Sequence, residues 1–128
     1  MRFESGGRQH TRKQKGAAAE AAAASFLEQR GFSILDRNWR NRTGEIDIVA
    51  RDKGTLVFVE VRSRSDVSTF GTPIESVNPR KIAQVRKTAE QYIHYAKSYD
   101  VPVRFDVVAV ILNPDMSAGS IEHIEHAF

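Results

Sequence analysis

Residues 45–64, EIDIVARDKGTLVFVEVRSR, decide the fold of this chain. Two runs that are rich in β-branched residues flank residues 51–54, RDKG. An Asp and a Gly between such runs are typical of a tight turn that joins two antiparallel strands. The stretch therefore predicts a β-hairpin, and the other elements are assigned outward from it.

Two acids of the hairpin stand among apolar residues, where a charge is expensive to bury. Asp47 lies between two isoleucines, and Glu60 lies in the run LVFVEVR. Apolar residues on both sides of Glu60 indicate a strand that is covered on both faces. Acids in such positions demand a chemical explanation.

The register of the hairpin decides whether these acids meet. If Arg51 pairs with Gly54 across the turn, Asp47 lies opposite Phe58, and Glu60 lies on the same face because side chains alternate with a period of two. Diagonal neighbours on adjacent strands are about 7–8 Å apart, so the two carboxylates could share one cation. A three-residue loop with a bulge at Gly54 would reverse the faces, and this alternative stays open.

A face crowded with carboxylates favours a hard divalent cation. In the same register Glu45 lies opposite Glu60, and Arg62 joins that face. The alternatives to a cation are raised pKa values or pairing with Arg62. A carboxylate-bound Mg²⁺ can position a water and offset the charge that develops on a phosphodiester. We therefore expect Mg²⁺ or Mn²⁺ as the cofactor.

Two further acids are candidates for the same site. Glu20 falls on the helical stripe of Ala24 and Leu27, so it points either inward or, like most glutamates of alanine-rich helices, into solvent. Asp106 lies inside the last long strand, where it either joins the site or pairs with Arg104.

A basic segment and an alanine-rich helix precede the hairpin. Residues 1–14 predict a flexible basic tail, which is either simply solvated or a phosphate-binding arm. The run KGAAAEAAAASFLEQRG predicts a helix from about residue 13 to residue 30, because alanine has the highest helix propensity and Gly31 stops the helix. Residues 32–40, FSILDRNWR, predict a strand.

A loop, a helix and a long strand follow the hairpin. Residues 63–77 are polar and predict a mobile loop. Asn78 as N-cap and Pro79 at the first helical position begin a helix that ends near Tyr99. Residues 103–112, VRFDVVAVIL, predict an interior strand.

This order predicts one α/β domain, residues 15–128, built as a mixed sheet flanked by helices. Strand, helix and strand should form a parallel crossover. Residues 121–128, IEHIEHAF, add a short edge strand. A chain of 128 residues is long enough to bury one hydrophobic core.

Composition excludes several classes of function. The chain has no cysteine, which excludes disulfides, thiolate nucleophiles and cysteine-ligated metal sites. With 41% hydrophobic and 27% charged residues it is typical of a soluble globular protein. No apolar run approaches the roughly 20 residues of a membrane span, so we expect no membrane partner and a cytoplasmic location.

Basic side chains follow the hairpin and open the second helix. They are Arg62, Arg64, Arg80, Lys81, Arg86 and Lys87. Arg80 and Lys81 lie at the positive end of the helix dipole at a cost of about 0.3–1 kcal/mol each, a conflict that a phosphate would relieve. The alternative is a solvated helix face. Arg64, Arg80 and Lys81 are therefore candidate nucleic-acid contacts.

Three motifs together resemble the YraN-like family of small bacterial proteins. They are GEID at residues 44–47, FVEVR at residues 58–62 and RFDVVAV at residues 104–110, and the likeness spans residues 15–128. Members are assigned as endonucleases by distant similarity to archaeal Holliday-junction resolvases. The resemblance implies the restriction-endonuclease-like fold, with the core order αβββαβ, and an endonuclease that cuts DNA, including branched DNA.

The resemblance also implies roles for individual residues. In that superfamily one strand carries an acid, the next carries an acid, any residue and a lysine, and the first helix often carries a glutamate. Carried over, Asp47 is the first metal ligand, Glu60 the second, and Val61 a ligand through its backbone carbonyl. Glu20 is the helix acid. Arg62 stands at the lysine position, and arginine is a poorer base than lysine.

Three functions compete on this reading. The preferred one is a Mg²⁺- or Mn²⁺-dependent DNA endonuclease in which Arg62 contacts the scissile phosphate and Lys81 is a candidate substitute for the missing lysine. The second is a non-catalytic nucleic-acid-binding protein with a degenerate site, because lysine is absent. The third is a partner-binding module in which Glu60 pairs with Arg62 or Arg104. Symmetric cutting of two strands would favour a homodimer.

Overall fold

The computed structural model describes residues 10–65 and 77–128. In these residues the chain forms two helices and five strands. They are α1 (Arg12–Gln29), β1 (Ser33–Arg40), β2 (Glu45–Asp52), β3 (Thr55–Arg64), α2 (Pro79–Ala96), β4 (Val103–Leu112) and β5 (Ala118–Ile124). The predicted order of helix, three strands, helix and strand is confirmed, and a further strand follows.

The start of α1 differs from the prediction. The helix begins at Arg12, inside the segment predicted as a flexible tail. The Thr11 side chain accepts a hydrogen bond from the backbone N–H of Gln14, and the Gln14 side chain accepts one from the Thr11 N–H. This reciprocal pair is a capping box, which stabilises a helix start. Residues 1–9 of the predicted tail lie outside the described residues.

The elements around the second helix also differ at their ends. β3 continues to Arg64, past the start of the predicted loop, and residues 66–76 of that loop lie outside the described residues. α2 ends at Ala96 rather than near Tyr99, because Lys97 adopts a left-handed conformation with φ of 53°. A residue in this conformation commonly ends a helix.

The strands form one mixed sheet in the order β1-β2-β3-β4-β5. β1, β2 and β3 are antiparallel neighbours, β4 runs parallel to β3 after the crossover through α2, and β5 returns antiparallel to β4. Of the helices in residues 10–65 and 77–128, neither is long and apolar enough to cross a membrane.

Each helix covers one face of the sheet. Alternate residues of a strand point to opposite faces, so neighbouring residues of β3 pack against different helices. Val57 and Val59 of β3 belong to the buried cluster that contains alanines of α1. Leu56 and Phe58 belong to the cluster that contains Tyr92 of α2. The small side chains of α1 let it pack closely, and the apolar surface buried on both faces is the main stabilising contribution.

The predicted register of the hairpin is wrong by one residue on each strand. Asp52 pairs with Thr55, so the turn consists of Lys53 and Gly54 alone. Both turn residues have positive φ, 53° and 93°, which is typical of the two-residue turns that suit twisted hairpins. The shift is one residue on both strands, so side chains keep the predicted faces within the paired ladder. Ile46 and Ile48, however, pack in the clusters on opposite sides of the sheet, so the alternation breaks at Asp47.

The corrected register changes the partner of Asp47. Phe58 pairs with Val49, and Ile48 pairs with Val59. The ladder ends at this second pair, so Asp47 and Glu60 are the first residues beyond it on the two strands rather than diagonal neighbours within it. The two acids are therefore closer along the strands than the sequence predicted.

Candidate active site

Asp47 and Glu60 meet where β2 and β3 separate. The paired ladder of the two strands ends at Ile48 and Val59. Beyond it, the backbone N–H of Val61 donates a hydrogen bond to Oδ2 of Asp47 at 2.8 Å. The carboxylate thus takes the place of a backbone acceptor in the gap between the strands, beside Glu60.

The carboxyl group of Asp47 is poorly compensated by positive charge. Burial raises the pKa of Asp47 from its usual 3.8 to about 7, and the neighbouring charges of Glu60 and Glu45 add to the rise. The hydrogen bond from Val61 and the charge of Lys81 lower this pKa, but by less. The carboxyl group therefore keeps its proton up to nearly neutral pH.

Glu60 is 3% exposed and contacts two cations. The Nη1 atom of Arg62 lies 3.3 Å from Oε2 of Glu60, and the Nζ atom of Lys81 lies 3.6 Å from the same oxygen. Burial still raises the pKa of Glu60, against the lowering effects of Lys81, Arg62 and a hydrogen bond with Asp47. Arg62 and Lys81 thus compensate Glu60, whereas Asp47 has no ion pair among the described residues.

Lys81 reaches the acids from the first turn of α2. The side chain of Asn78 accepts a hydrogen bond from the backbone N–H of Lys81 at 2.9 Å, and Pro79 begins the helix. This cap fixes the helix start beside the end of β3. The ammonium group that β3 lacks, because it carries Arg62, is therefore present next to Glu60 on another element.

Glu20 of α1 points inward, which is one of the two orientations predicted for it. It is 6% exposed. Its Oε1 atom accepts hydrogen bonds from Arg37, whose Nη2 lies at 3.1 Å, and from Nδ2 of Asn38 at 2.8 Å. Both donors belong to β1, so the partners of Glu20 in the described residues are these two side chains rather than Asp47.

Glu20 and Asp47 line one cleft of about 410 Å³ between α1 and the β1–β2 hairpin, which we call the α1 cleft. Its lining residues are Lys13, Gly16, Ala17, Ala19, Glu20, Asn38, Arg40, Glu45, Asp47, Val61 and Ser63. The Glu45 carboxylate accepts a hydrogen bond from Nη2 of Arg40 at 3.0 Å. Glu60 is not part of this lining, so the acid pair lies between the α1 cleft and the side of the sheet that α2 covers.

Asp106 is engaged elsewhere. It is fully buried, and its two oxygens accept hydrogen bonds from Nε and Nη2 of Arg104 at 2.9 and 3.0 Å. Nε2 of His123 lies 2.7 Å from Oδ2. Of the two predicted alternatives, pairing with Arg104 is the one that the structure contains.

The remaining predicted contacts lie at the edges of this region. Arg64 is at the end of β3, two residues beyond Arg62, and Arg80 is exposed in the first turn of α2. Sequence reasoning missed Arg37 and Asn38 as partners of Glu20. Asn38 has a φ of 54° inside β1, which lets both neighbouring side chains reach the same carboxylate. The one signal in the sequence is the residue type, because asparagine is enriched in this left-handed conformation.

The donor set suits Mg²⁺ with open coordination positions. Within residues 10–65 and 77–128 no group of three or more His, Asp or Glu side chains could hold a metal ion, so the acids offer a two-carboxylate site. Mg²⁺ is usually bound by one or two carboxylates and keeps waters or phosphate oxygens as its other ligands. Burial raises the pKa values of both Asp47 and Glu60, and a bound cation would offset the cost of burying their charges.

Comparison with known proteins identifies a family and similar members of it. The model of a family described as "Uncharacterised protein family UPF0102" matches residues 19–110. A UPF0102 protein of Geotalea daltonii is 48% identical over 116 residues, which cover 91% of this chain and 90% of that protein. A UPF0102 protein of Moorella thermoacetica is 46% identical, with 92% and 98% covered.

Two solved structures are more distant. One, described as "Structure of EndoMS-dsDNA2 complex", has a TM-score of 0.46 and 21% identity, and covers 82% of this chain and 39% of that chain. The other, a FdxN element excision controlling factor protein from Anabaena variabilis, has a TM-score of 0.34 and 14% identity, with 86% and 98% covered. At these values neither likeness transfers an activity.

Proposed function

The chain belongs to the UPF0102 family, which confirms the YraN-like resemblance, and from this premise we propose that it is a metal-dependent endonuclease that hydrolyses phosphodiester bonds of DNA. The observation that carries the proposal is the close pair of Asp47 and Glu60, two acids whose pKa values burial raises and of which only Glu60 has cationic partners in the described residues. Perturbed acids with a specific partner in a cleft are typical of functional sites.

Each part of the site has a role in this reaction. Mg²⁺ or Mn²⁺, held by Asp47, Glu60 and the carbonyl of Val61, would activate a water and offset the charge of the phosphodiester. The N–H of Val61 fixes the orientation of Asp47. Arg62 and Lys81, both partly exposed, would bind oxygens of the scissile phosphate.

The outer contacts complete the proposal. Glu20, held on one oxygen by β1, is the second acid of the α1 cleft and would orient the attacking water. Arg64 and Arg80 extend the positive charge beyond Arg62 and Lys81, where the flanking phosphates of the DNA strand would lie. Branched or otherwise structured DNA is the expected substrate class.

Replacement of Glu60 by glutamine tests the metal-dependent reaction. Glutamine keeps the shape of the side chain but offers no charged ligand, so we expect cleavage to fall about 100-fold or more, as for the loss of metal-site partners. Cleavage is measured on nicked, branched, single-stranded and duplex DNA with Mg²⁺, with Mn²⁺ and with EDTA.

The matched control is Glu28→Gln, which makes the same change at an exposed position of α1. It should leave cleavage within about twofold of the native protein, because surface changes away from a site have small effects. Equal cleavage by Glu60→Gln and the native protein would remove Glu60 from the reaction.

The location of Lys81 supports a second test. If the ammonium from α2 serves where the superfamily has a lysine on the strand, Lys81→Met should lower kcat about 100-fold or less, with a smaller effect on KM. The double variant Lys81→Met with Arg62→Lys should recover part of this loss. No loss with Lys81→Met alone would show that Arg62 suffices.

A non-catalytic nucleic-acid-binding protein is the second candidate, and Arg62 at the lysine position favours it. On this alternative the native protein binds DNA with a steep dependence on salt and cleaves none of the four substrates in any metal. Binding without cleavage would therefore contradict the endonuclease and support the non-catalytic binding protein.

A further inference from the structure

The α1 cleft is built as a small ligand site. Its volume of about 410 Å³ lies at the lower end of the range for small-molecule pockets, roughly 300–1,000 Å³. The α1 side of the cleft consists of Gly16, Ala17 and Ala19. A Cβ atom added at Gly16 would meet nothing within 4 Å, so this wall is open.

Most charges of the cleft are already paired. Arg40 and Glu45 form an ion pair at 3.0 Å, and Glu20 is paired with Arg37 at 3.1 Å. Lys13 has no ion pair among residues 10–65 and 77–128. The ammonium group of Lys13 therefore favours a phosphate beside it. Asp47, which also lines the cleft and has no ion pair in the described residues, is left for the cation of the proposed reaction.

Polar groups for a ligand are also present. The Nδ2 group of Asn38 donates a hydrogen bond to Glu20. The Oδ1 atom of Asn38 accepts no hydrogen bond from the part of the chain that the structure describes. An amide oxygen of this kind can accept from a base or a sugar. At the other end of the cleft, Val61 and Ser63 adjoin Asp47, so a ligand in the cleft would touch the proposed reaction centre.

From these features we infer that the α1 cleft binds a single unpaired nucleotide, with its phosphate at Lys13 and its sugar and base against Gly16 and Ala17. The inference rests on the proposed function and narrows it, because the nucleotide would belong to the strand that is cut at Asp47. A cleft of this size admits one nucleotide but no duplex. Unpairing a nucleotide costs least where the substrate is already single-stranded or mismatched.

The first test fills the cleft. Gly16→Leu places a side chain in the open space and favours the helix, since leucine has a higher helix propensity than glycine. Ala21→Leu is the matched control, because Ala21 is exposed on the same helix and does not line the cleft. Circular dichroism and thermal unfolding verify that both variants are folded.

Binding is measured by fluorescence anisotropy in EDTA, in the Asp47→Asn background so that no cleavage occurs. The probes are a labelled single-stranded oligodeoxynucleotide and the perfect duplex of the same sequence. We expect Gly16→Leu to raise the Kd for the single strand about tenfold or more, and Ala21→Leu to change it less than about twofold. The duplex should bind more weakly and be insensitive to Gly16→Leu.

Two outcomes overturn the inference. One is an unchanged Kd for the single strand in Gly16→Leu, and the other is a duplex that binds as tightly and is weakened as much. Cleavage by the native protein is assayed separately with Mg²⁺ and Mn²⁺. If the native protein cleaves DNA but Gly16→Leu does not weaken binding, only the nucleotide site in the α1 cleft is contradicted. If Gly16→Leu weakens binding but the native protein cleaves no DNA, only the endonuclease activity is contradicted.

A salt titration tests the role of Lys13. Each phosphate contact contributes about 0.7 to the slope of log Kd against log salt concentration for single strands. Lys13→Gln should therefore reduce the slope by about that amount. Lys53→Gln, in the β2–β3 turn at the opposite end of β2 from Asp47, should leave it unchanged. Equal slopes for the native protein and Lys13→Gln would remove Lys13 from the site.

Discussion

Asp47→Asn should make the protein more stable and lower cleavage by about three orders of magnitude. Burial raises the pKa of Asp47 to about 7, so the charged carboxylate is disfavoured in the folded state. Asparagine is neutral, and it can accept the hydrogen bond of the Val61 N–H while donating one to Glu60. We expect a gain of ~2 kcal/mol at pH 8, less than the full shift of about 1.36 kcal/mol per pKa unit because the residue is partly exposed.

The gain should depend on pH in a defined direction. A carboxyl group with a raised pKa in the folded state contributes full stability below its unfolded pKa, near 3.8, and this is lost as the pH rises through about 7. The two proteins should therefore be similar near pH 4 and diverge by pH 8. Urea unfolding at both pH values, in EDTA, measures the difference.

The loss of activity should be larger than that of Glu60→Gln. Glu60 has Arg62 and Lys81 beside it, whereas Asp47 has no ion pair among the described residues, so Asp47 offers the less compensated charge to a cation. We expect cleavage to fall about 1,000-fold. Asp100→Asn, at an exposed position, is the control for both measurements. A variant of Asp47 that is less stable at pH 8 would show that its charge is compensated in the native protein.

Arg104→Met should cause the largest loss of stability. Arg104 is 9% exposed and holds Asp106 through two hydrogen bonds, and its Nη1 atom lies 3.2 Å from Asp52. Removal of the guanidinium leaves Asp106 buried without its main cationic partner. Breaking a buried ion pair in this way costs about 3–5 kcal/mol, which urea unfolding at pH 7 would detect.

Two further measurements separate the contribution of the ion pair to stability from that of side-chain packing. Although burial raises it, hydrogen bonds from His123 and Arg104 outweigh this effect and lower the pKa of Asp106, so its stabilising contribution is present above pH 3.8 and is lost as the pH falls through the folded value. Arg104→Met should weaken this acid dependence. The double variant Arg104→Met with Asp106→Asn should recover stability, because both buried charges are gone. A loss below about 1 kcal/mol for Arg104→Met would contradict the assignment.

The sequence predicted those parts of the site that follow from local pattern. The runs and turn of residues 45–64 predicted the hairpin that brings Asp47 and Glu60 together, although the alternation breaks at Asp47. The stripe of α1 left the orientation of Glu20 open between inward and solvent. The register was wrong because it depends on which two residues form the turn, Asp52 and Lys53 as predicted or Lys53 and Gly54 as observed. That choice depends on positive φ at Lys53, a residue type that does not favour such a conformation.

The contacts that join distant elements could not be predicted in the same way. Lys81 was one of several basic residues near the hairpin, and only the packing of α2 brings its ammonium group to Glu60. Arg37 and Asn38 reach one carboxylate because β1 breaks its alternation at Asn38. The crossover geometry leaves no trace in residue type, and an asparagine inside a strand pattern permits such a break without requiring one.

The hydrogen bond from the Val61 N–H to Asp47 makes the amide resonance of Val61 a spectroscopic probe of the site. Amide resonances respond to the charge of the group that accepts their hydrogen, and here the acceptor is a side chain of the site rather than a neighbouring strand. A ligand that draws electron density from Asp47 should therefore shift the amide resonance of Val61. Occupancy of the reaction centre can be followed in this way without a substrate and without turnover.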